Sequence, residues 1–175
     1  MSRSERLEFL QSPSEPAPGA PRAARKRIRK VLAVASGGGH WVQLRRVIPA
    51  LDGHSVTYLT INPTYRTDVP DAKVYIVNDA TRWDRIGSLR MALRILWVVV
   101  CERPDVVLTT GAAPGYFAIL FGRLVGARTI WLDSIANVEH VSMSGQMVRR
   151  HANLWLTQWP HLARPGGPEF AGRVF

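Results

Sequence analysis

Val31-Leu32-Ala33-Val34-Ala35-Ser36-Gly37-Gly38-Gly39-His40-Trp41 joins an apolar, β-branched run to three glycines, then to a histidine that opens a helical pattern. Glycines let a backbone approach a ligand closely. The unpaired N–H groups and positive dipole end of a following helix favour an anion at that point. The turn therefore predicts an anion-binding loop with His40 beside the ligand, against the simpler reading of a tight strand-to-helix connection.

From Lys30 to Gln158 short apolar runs alternate with longer amphipathic segments. That alternation is the pattern of βαβ units around a parallel sheet. Strands are expected near residues 30–35, 55–60, 73–77, 105–109, 128–132 and 153–157, and helices near 40–51, 86–102, 113–125 and 143–151. The fold class is α/β, a Rossmann-like parallel sheet of about six strands with helices on both faces. Trp41, Leu44, Ile48 and Leu51 form the core stripe of the first helix, and Asp52-Gly53 stops it. The second helix has an apolar face of Ile86, Leu89, Leu93, Leu96, Trp97 and Val100, with Arg82, Arg85, Arg90 and Arg94 crowding its first half. This face either packs in the core or lies on an anionic membrane. Glu169 to Phe175 is too short for another βα unit, and Cys101, at a helix end, is expected in the core.

At 175 residues the chain suits one domain. Its net charge of +10 and pI near 11.0 point to an anionic partner or surface. Residues 1–30 carry eight Arg/Lys against three Glu, half of the whole excess. With several prolines and serines and little that is apolar, residues 1–29 read as a disordered basic tail. Its end, Arg25, Lys26, Arg27, Arg29 and Lys30, is either a solvated lead-in to the first strand or a contact for anionic headgroups. No apolar core follows the N-terminal charges as a signal peptide requires. The lone Cys101 gives no disulfide framework, so a cytosolic setting is expected. The unbroken apolar stretch from Ile95 to Cys101 is far below the ~20 residues that a bilayer crossing needs. Scattered histidines predict no metal site, and the absence of a stacking platform or recognised motif argues against nucleic acid.

In a parallel open sheet, ligands bind beyond the carboxyl ends of the strands. Four segments fall there: Ser36 to His40, Thr109-Thr110-Gly111-Ala112-Ala113-Pro114, Asp133-Ser134-Ile135-Ala136-Asn137, and Gln158-Trp159-Pro160. The first is no dinucleotide fingerprint, because the third glycine of that motif falls at Val42 and no acid ends the second strand. Nor is it a P-loop, since no Gly-Lys-Ser/Thr follows. His40 is suited to general-base work or to hydrogen bonding a phosphate. Asp133 either orients a sugar hydroxyl, acts as a base, or caps the next loop.

In this order the four motifs resemble the membrane-anchor subunit of the bipartite N-acetylglucosaminyltransferase that extends dolichol-diphosphate-GlcNAc, together with its bacterial PssD-type counterparts in exopolysaccharide assembly. The resemblance spans about Lys30 to Phe175. It implies the N-terminal, Rossmann-like half of a GT-B glycosyltransferase, with residues 30–162 binding an isoprenoid-diphosphate-linked sugar acceptor and residues 163–175 docking a partner. That partner is a separate small subunit carrying the UDP-sugar donor, with no cofactor on this chain, which would be inactive or nearly so alone. By position, Ser36, Gly37, Gly38, Gly39, Thr110, Gly111 and Ser134 would meet the acceptor's diphosphate and sugar, with His40 as candidate base and Asp133 as a second catalytic candidate. Peripheral attachment to the cytoplasmic face of the membrane would rest on the basic cluster 25–30 and on Arg90, Arg94 and Trp97. The competing reading is a non-catalytic membrane scaffold that recruits a cytosolic transferase.

Overall fold

A computed structural model describes residues 27–80 and 83–174 of the chain. Most of the expected disordered tail, including Arg25 and Lys26, lies outside the described residues, as does Arg82. Among the described residues seven strands form one sheet: β1 (Lys30–Val34), β2 (Ser55–Thr60), β3 (Lys73–Ile76), β4 (Val106–Thr109), β5 (Arg128–Leu132), β6 (Leu154–Thr157) and β7 (Glu169–Phe170). Their order is β3-β2-β1-β4-β5-β6-β7 and every neighbouring pair is parallel. The expected Rossmann-like α/β sheet is therefore present. It exceeds the expected six strands by β7, two residues that pair with β6 through Leu156 and Thr157 without a helix of their own.

Alternate residues of β1 feed two cores, as the twofold period of a strand requires. Leu32 and Val34 point to the layer of α2 (Arg85–Glu102) and α3 (Ala112–Leu124), whereas Val31, Ala33 and Ala35 point to α1 (Gly39–Val47). α1 is shorter than expected, and a 3-10 turn, Ile48–Leu51, continues it. Pro49 lies in that turn, and lacking an N–H it cannot continue the ladder. Likewise the expected helix over 143–151 divides into α4 (Met143–Met147) and a 3-10 turn, Val148–Arg150.

Of the two readings of the apolar face of α2, packing in the core does not hold. Its core face consists of Gly87, Met91, Ile95, Val98 and Val99. Ile86, Leu89, Leu93, Trp97 and Val100 instead form an outward stripe, 47–67% exposed. The two stripes lie nearly opposite on the helix, so both have helical spacing, and only the tertiary fold decides which is buried. Arg85, Arg90 and Arg94 flank the outer stripe, with the Arg94 guanidinium 4.5 Å from the centre of the Trp97 ring. Cys101, expected in the core, is exposed at the end of this helix.

α2 is tied to the sheet edge by Glu102, which accepts hydrogen bonds from Lys73 and Tyr75 of β3, the former at 2.6 Å. Burial pushes the Glu102 carboxyl up, but the two hydrogen bonds outweigh it and hold the group below the ordinary carboxylate range. The bond to Glu102, then that to Tyr75, raises the Lys73 ammonium, and burial followed by the Glu102 bond raises the Tyr75 hydroxyl.

Candidate functional site

The strand order reverses between β1 and β4, the place where an open sheet leaves a crevice at its carboxyl edge. The turns after these two strands bring His40 and Thr110 together there. The His40 Nδ1 lies 2.7 Å from the Thr110 carbonyl oxygen, and the Thr110 hydroxyl donates to the His40 carbonyl at 2.7 Å. A carbonyl only accepts, so Nδ1 carries the proton in this bond, and the neutral ring presents its lone pair on Nε2. Gly111 completes the clamp: at φ 129° and ψ −166° it holds a conformation that disfavours other residues, and a Cβ there would stand 2.8 Å from the His40 Cε1.

Gly38 is the other glycine that the turn demands, at φ 55° and ψ −129°. Its N–H is occupied: it donates to the Tyr65 hydroxyl at 2.8 Å. Tyr65 lies in a 3-10 turn, Pro63–Asp68, and stacks on Trp41 at 4.6 Å between ring centres, while the Trp41 indole donates to Asp68 at 2.7 Å. This buttress holds the glycine loop against the start of α1. The first backbone N–H of α1 to find a carbonyl is that of Val42, on Gly38. Among the described residues, the N–H groups of Gly39, His40 and Trp41 therefore remain open at the rim. Ser36 stands behind the loop, its carbonyl accepting from the Thr60 hydroxyl at 2.6 Å.

Asp133 and Ser134 reach the same rim from β5, but both are buried and committed internally. One Asp133 oxygen accepts from the Trp131 indole at 3.1 Å and from the Ser142 hydroxyl; the other accepts from Asn137 at 3.1 Å and the Ser142 N–H at 2.9 Å. Of the three roles open to Asp133 in the sequence, the geometry favours the loop cap. The Ser134 hydroxyl accepts from the Gln43 amide at 3.1 Å and the Ala136 N–H at 3.3 Å.

Two glutamines connect these turns, Gln158 from the last of the four rim segments and Gln43, which the sequence does not single out. The Gln43 side-chain oxygen accepts from the Gln158 amide at 2.6 Å and from the Ile135 N–H at 3.0 Å, and Gln158 also donates to the Asp133 carbonyl at 3.0 Å. Buried polar groups need such partners. The signal for Gln158 was its place in the Gln158-Trp159-Pro160 motif; a polar residue one turn past Gly39 gave none for Gln43. The network extends to Arg173 and Val174. The Val174 N–H donates to the Gln158 side-chain oxygen at 2.9 Å, and the Arg173 guanidinium lies 4.6 Å from the Trp159 ring centre.

The sites expected for membrane contact lie elsewhere. Arg27, Arg29 and Lys30 are exposed at the amino end of β1, and Arg90, Arg94 and Trp97 are exposed on α2. No helix among the described residues is long and apolar enough to cross a membrane.

Comparison with known proteins bears on the fold and the family. In solved structures the fold resembles MurG from Acinetobacter baumannii, with a TM-score of 0.69, 16% identity and coverage of 82% of this chain. It also resembles a UDP-N-acetylglucosamine 2-epimerase from Rickettsia bellii, with a TM-score of 0.60, 12% identity and coverage of 77% of this chain. The chain spans less than half of either structure, 45% and 40%. In sequence it is 23% identical to the UDP-N-acetylglucosamine transferase subunit ALG14 of Yarrowia lipolytica, over 91% of this chain and 82% of that protein. The Schizosaccharomyces pombe subunit of the same name is 30% identical over 86 residues, 46% of this chain and 39% of that protein. The family model described as "Oligosaccharide biosynthesis protein Alg14 like" matches residues 77–173, more than half of the sequence. With its Rossmann-like sheet and the rim that ends in Gln158 and its partners, the chain belongs to the Alg14-like family of oligosaccharide biosynthesis proteins.

Proposed function

We propose that this chain is the acceptor-binding subunit of a membrane-associated, UDP-sugar-dependent glycosyltransferase. It would hold an isoprenoid-diphosphate-linked sugar at the β1/β4 crevice while a separate small subunit presents the UDP-sugar. The observation that carries this reading is His40, fixed through Nδ1 by Thr110 and flanked by the open N–H groups at the start of α1. Those N–H groups, at the positive end of the helix dipole, suit the acceptor diphosphate. The Nε2 lone pair suits a sugar hydroxyl. As that hydroxyl attacks the anomeric carbon of the donor, its proton passes to His40, the new C–O bond forms, and the bond to UDP breaks with UDP leaving as the anion. Gly38 orients the loop through Tyr65, and Asp133 and Ser134 act by positioning the turn after β5.

A lipid-linked acceptor calls for contact with a bilayer, and the outer stripe of α2 supports that contact. Burying its five half-exposed apolar side chains in the interface is worth on the order of 5 kcal/mol. Flanking arginines favour anionic headgroups. The relatives named as transferase subunits support a donor-binding partner, and the polar bonds that fasten residues 173–174 to Gln158 support the C-terminal segment as its docking place.

The test is transfer from UDP-N-acetylglucosamine to an isoprenoid-diphosphate-linked sugar by this chain mixed with its donor-binding subunit. The mixture is expected to be active and each chain alone inactive or nearly so. His40→Ala is expected to lower kcat by ~10²–10⁴-fold without loss of folding or partner binding. Normal turnover in the variant, with the partner still recruited, would assign the chain the scaffold role instead.

A further inference from the structure

We infer that an arginine-lined cavity at the amino edge of the sheet, opposite the His40 rim, binds the phosphate of an anionic phospholipid headgroup and so sets how the domain lies on the bilayer. This inference rests on the membrane contact proposed for α2. The cavity, about 570 Å³, is lined by Arg29 before β1, Arg103 after α2, and Arg128 at the start of β5, with Asp105 as the one acid among the described residues that line it. The Asp105 carboxylate already accepts the Lys30 N–H at 2.8 Å. Among the described residues the three guanidinium groups have no ion pair or side-chain hydrogen bond; the ion pair found there joins Lys73 and Glu102. Like charges gathered in one depression repel unless an anion joins them, and the planar guanidinium fork matches phosphate oxygens.

What selects a lipid over a soluble phosphate is the rest of the wall. Val100, Pro104 and Val125 line it, and Val100 is also the last residue of the outer stripe of α2. Leu124, 74% exposed, precedes Val125 at the end of α3. The apolar stripe thus runs without a break into the cationic cavity, as acyl chain runs into headgroup. α2 extends for about 27 Å at ~1.5 Å per residue. Its first turn is fastened to the segment after β3, where Asn78 donates to the Gly87 carbonyl at 2.9 Å. A headgroup held at the far end would lay the helix along the membrane surface, with Ile86 and the end of the sheet that bears the rim at the same surface.

The experiment is flotation of the full chain with vesicles of phosphatidylcholine alone and of phosphatidylcholine with phosphatidylglycerol. The variants are Arg103→Gln with Arg128→Gln, a charge-matched control of Arg45→Gln with Arg66→Gln on the other face, and Leu93→Gln with Trp97→Gln. Circular dichroism melts verify folding of each. The cavity variant is expected to lose about tenfold or more of the affinity for anionic vesicles, the control less than about twofold. Equal losses in cavity and control variants, with the stripe variant impaired, would overturn the headgroup site and leave the membrane reading standing. Failure of the unaltered chain to float with either vesicle would overturn both. Inorganic phosphate added at constant ionic strength is expected not to displace the bound chain; displacement, reproduced by phosphate binding without vesicles, would assign the cavity to a soluble anion and overturn the lipid assignment.

Discussion

Gly111→Ala tests the clamp on His40 with the smallest possible change. The new methyl group would stand 2.8 Å from the His40 Cε1 and 3.0 Å from its Nδ1, on a backbone at φ 129°. Holding a non-glycine residue in such a region costs about 1–3 kcal/mol. Moving the imidazole away breaks its bond to Thr110, a further ~0.5–1.5 kcal/mol. At about 2–4 °C per kcal/mol for a chain of this size, the melting temperature should fall by roughly 5–15 °C. The ring would move by enough to matter chemically, since a misplacement of ~1 Å at a reacting group can cost ~10²-fold. Thermal melts and steady-state transfer with saturating donor-binding subunit give the two numbers, with kcat expected to fall by ~10²-fold. Gly126→Ala separates backbone strain from the clash: its φ is 82°, but nothing among the described residues lies within 4 Å of the added methyl, so it should lose stability and keep kcat. A Gly111→Ala protein with unchanged kcat would refute the claim that the clamp positions a reacting group.

Glu102→Gln should destabilise the chain near neutral pH, by detaching α2 from Lys73 and Tyr75. Because the folded Glu102 carboxyl titrates below its unfolded value, its contribution is present above that unfolded value and is lost as pH falls through the folded one. Lys73, raised in the fold, keeps its side of the bond until the pH passes above the ordinary lysine range. The gap in melting temperature between parent and variant should thus be full from about pH 5 to 10 and close in acid; a gap independent of pH would contradict the assignment. Gln158→Leu takes the Gln158 partner from the Asp133 carbonyl and the Val174 N–H, at about 1–3 kcal/mol each where water cannot replace it, and leaves the Gln43 oxygen with the Ile135 N–H alone. It should lower stability and weaken capture of the donor-binding subunit together, measured by melts and by pull-down, whereas intact capture would separate the C-terminal segment from docking.

Much of the fold was legible because buried parallel strands read as short apolar runs, and β1 through β6 lie where such runs occur. β7 was not, since two residues carry no pattern and their place depends on an open edge of β6. Which face α2 buries could not be read from the pattern, for a physical reason: Met91, Ile95 and Val98 on one side and Leu89, Leu93 and Trp97 on the other have the same helical period. At the rim, Gly38, His40, Thr110 and Gly111 stood out because a strand-to-helix turn needs unusual residues. Tyr65, Asp68 and Gln43 did not, because what gives them meaning is a partner in another turn: Gly38, Trp41, Gln158.

Binding of the acceptor on this chain at the His40 rim is measured by titrating a short-chain isoprenoid-diphosphate sugar into this chain without its partner while following the His40 imidazole by NMR. Saturable binding that shifts the His40 resonances, weakened in Gly111→Ala, is the predicted result. An acceptor that leaves His40 unmoved and binds only the donor-binding subunit would contradict it.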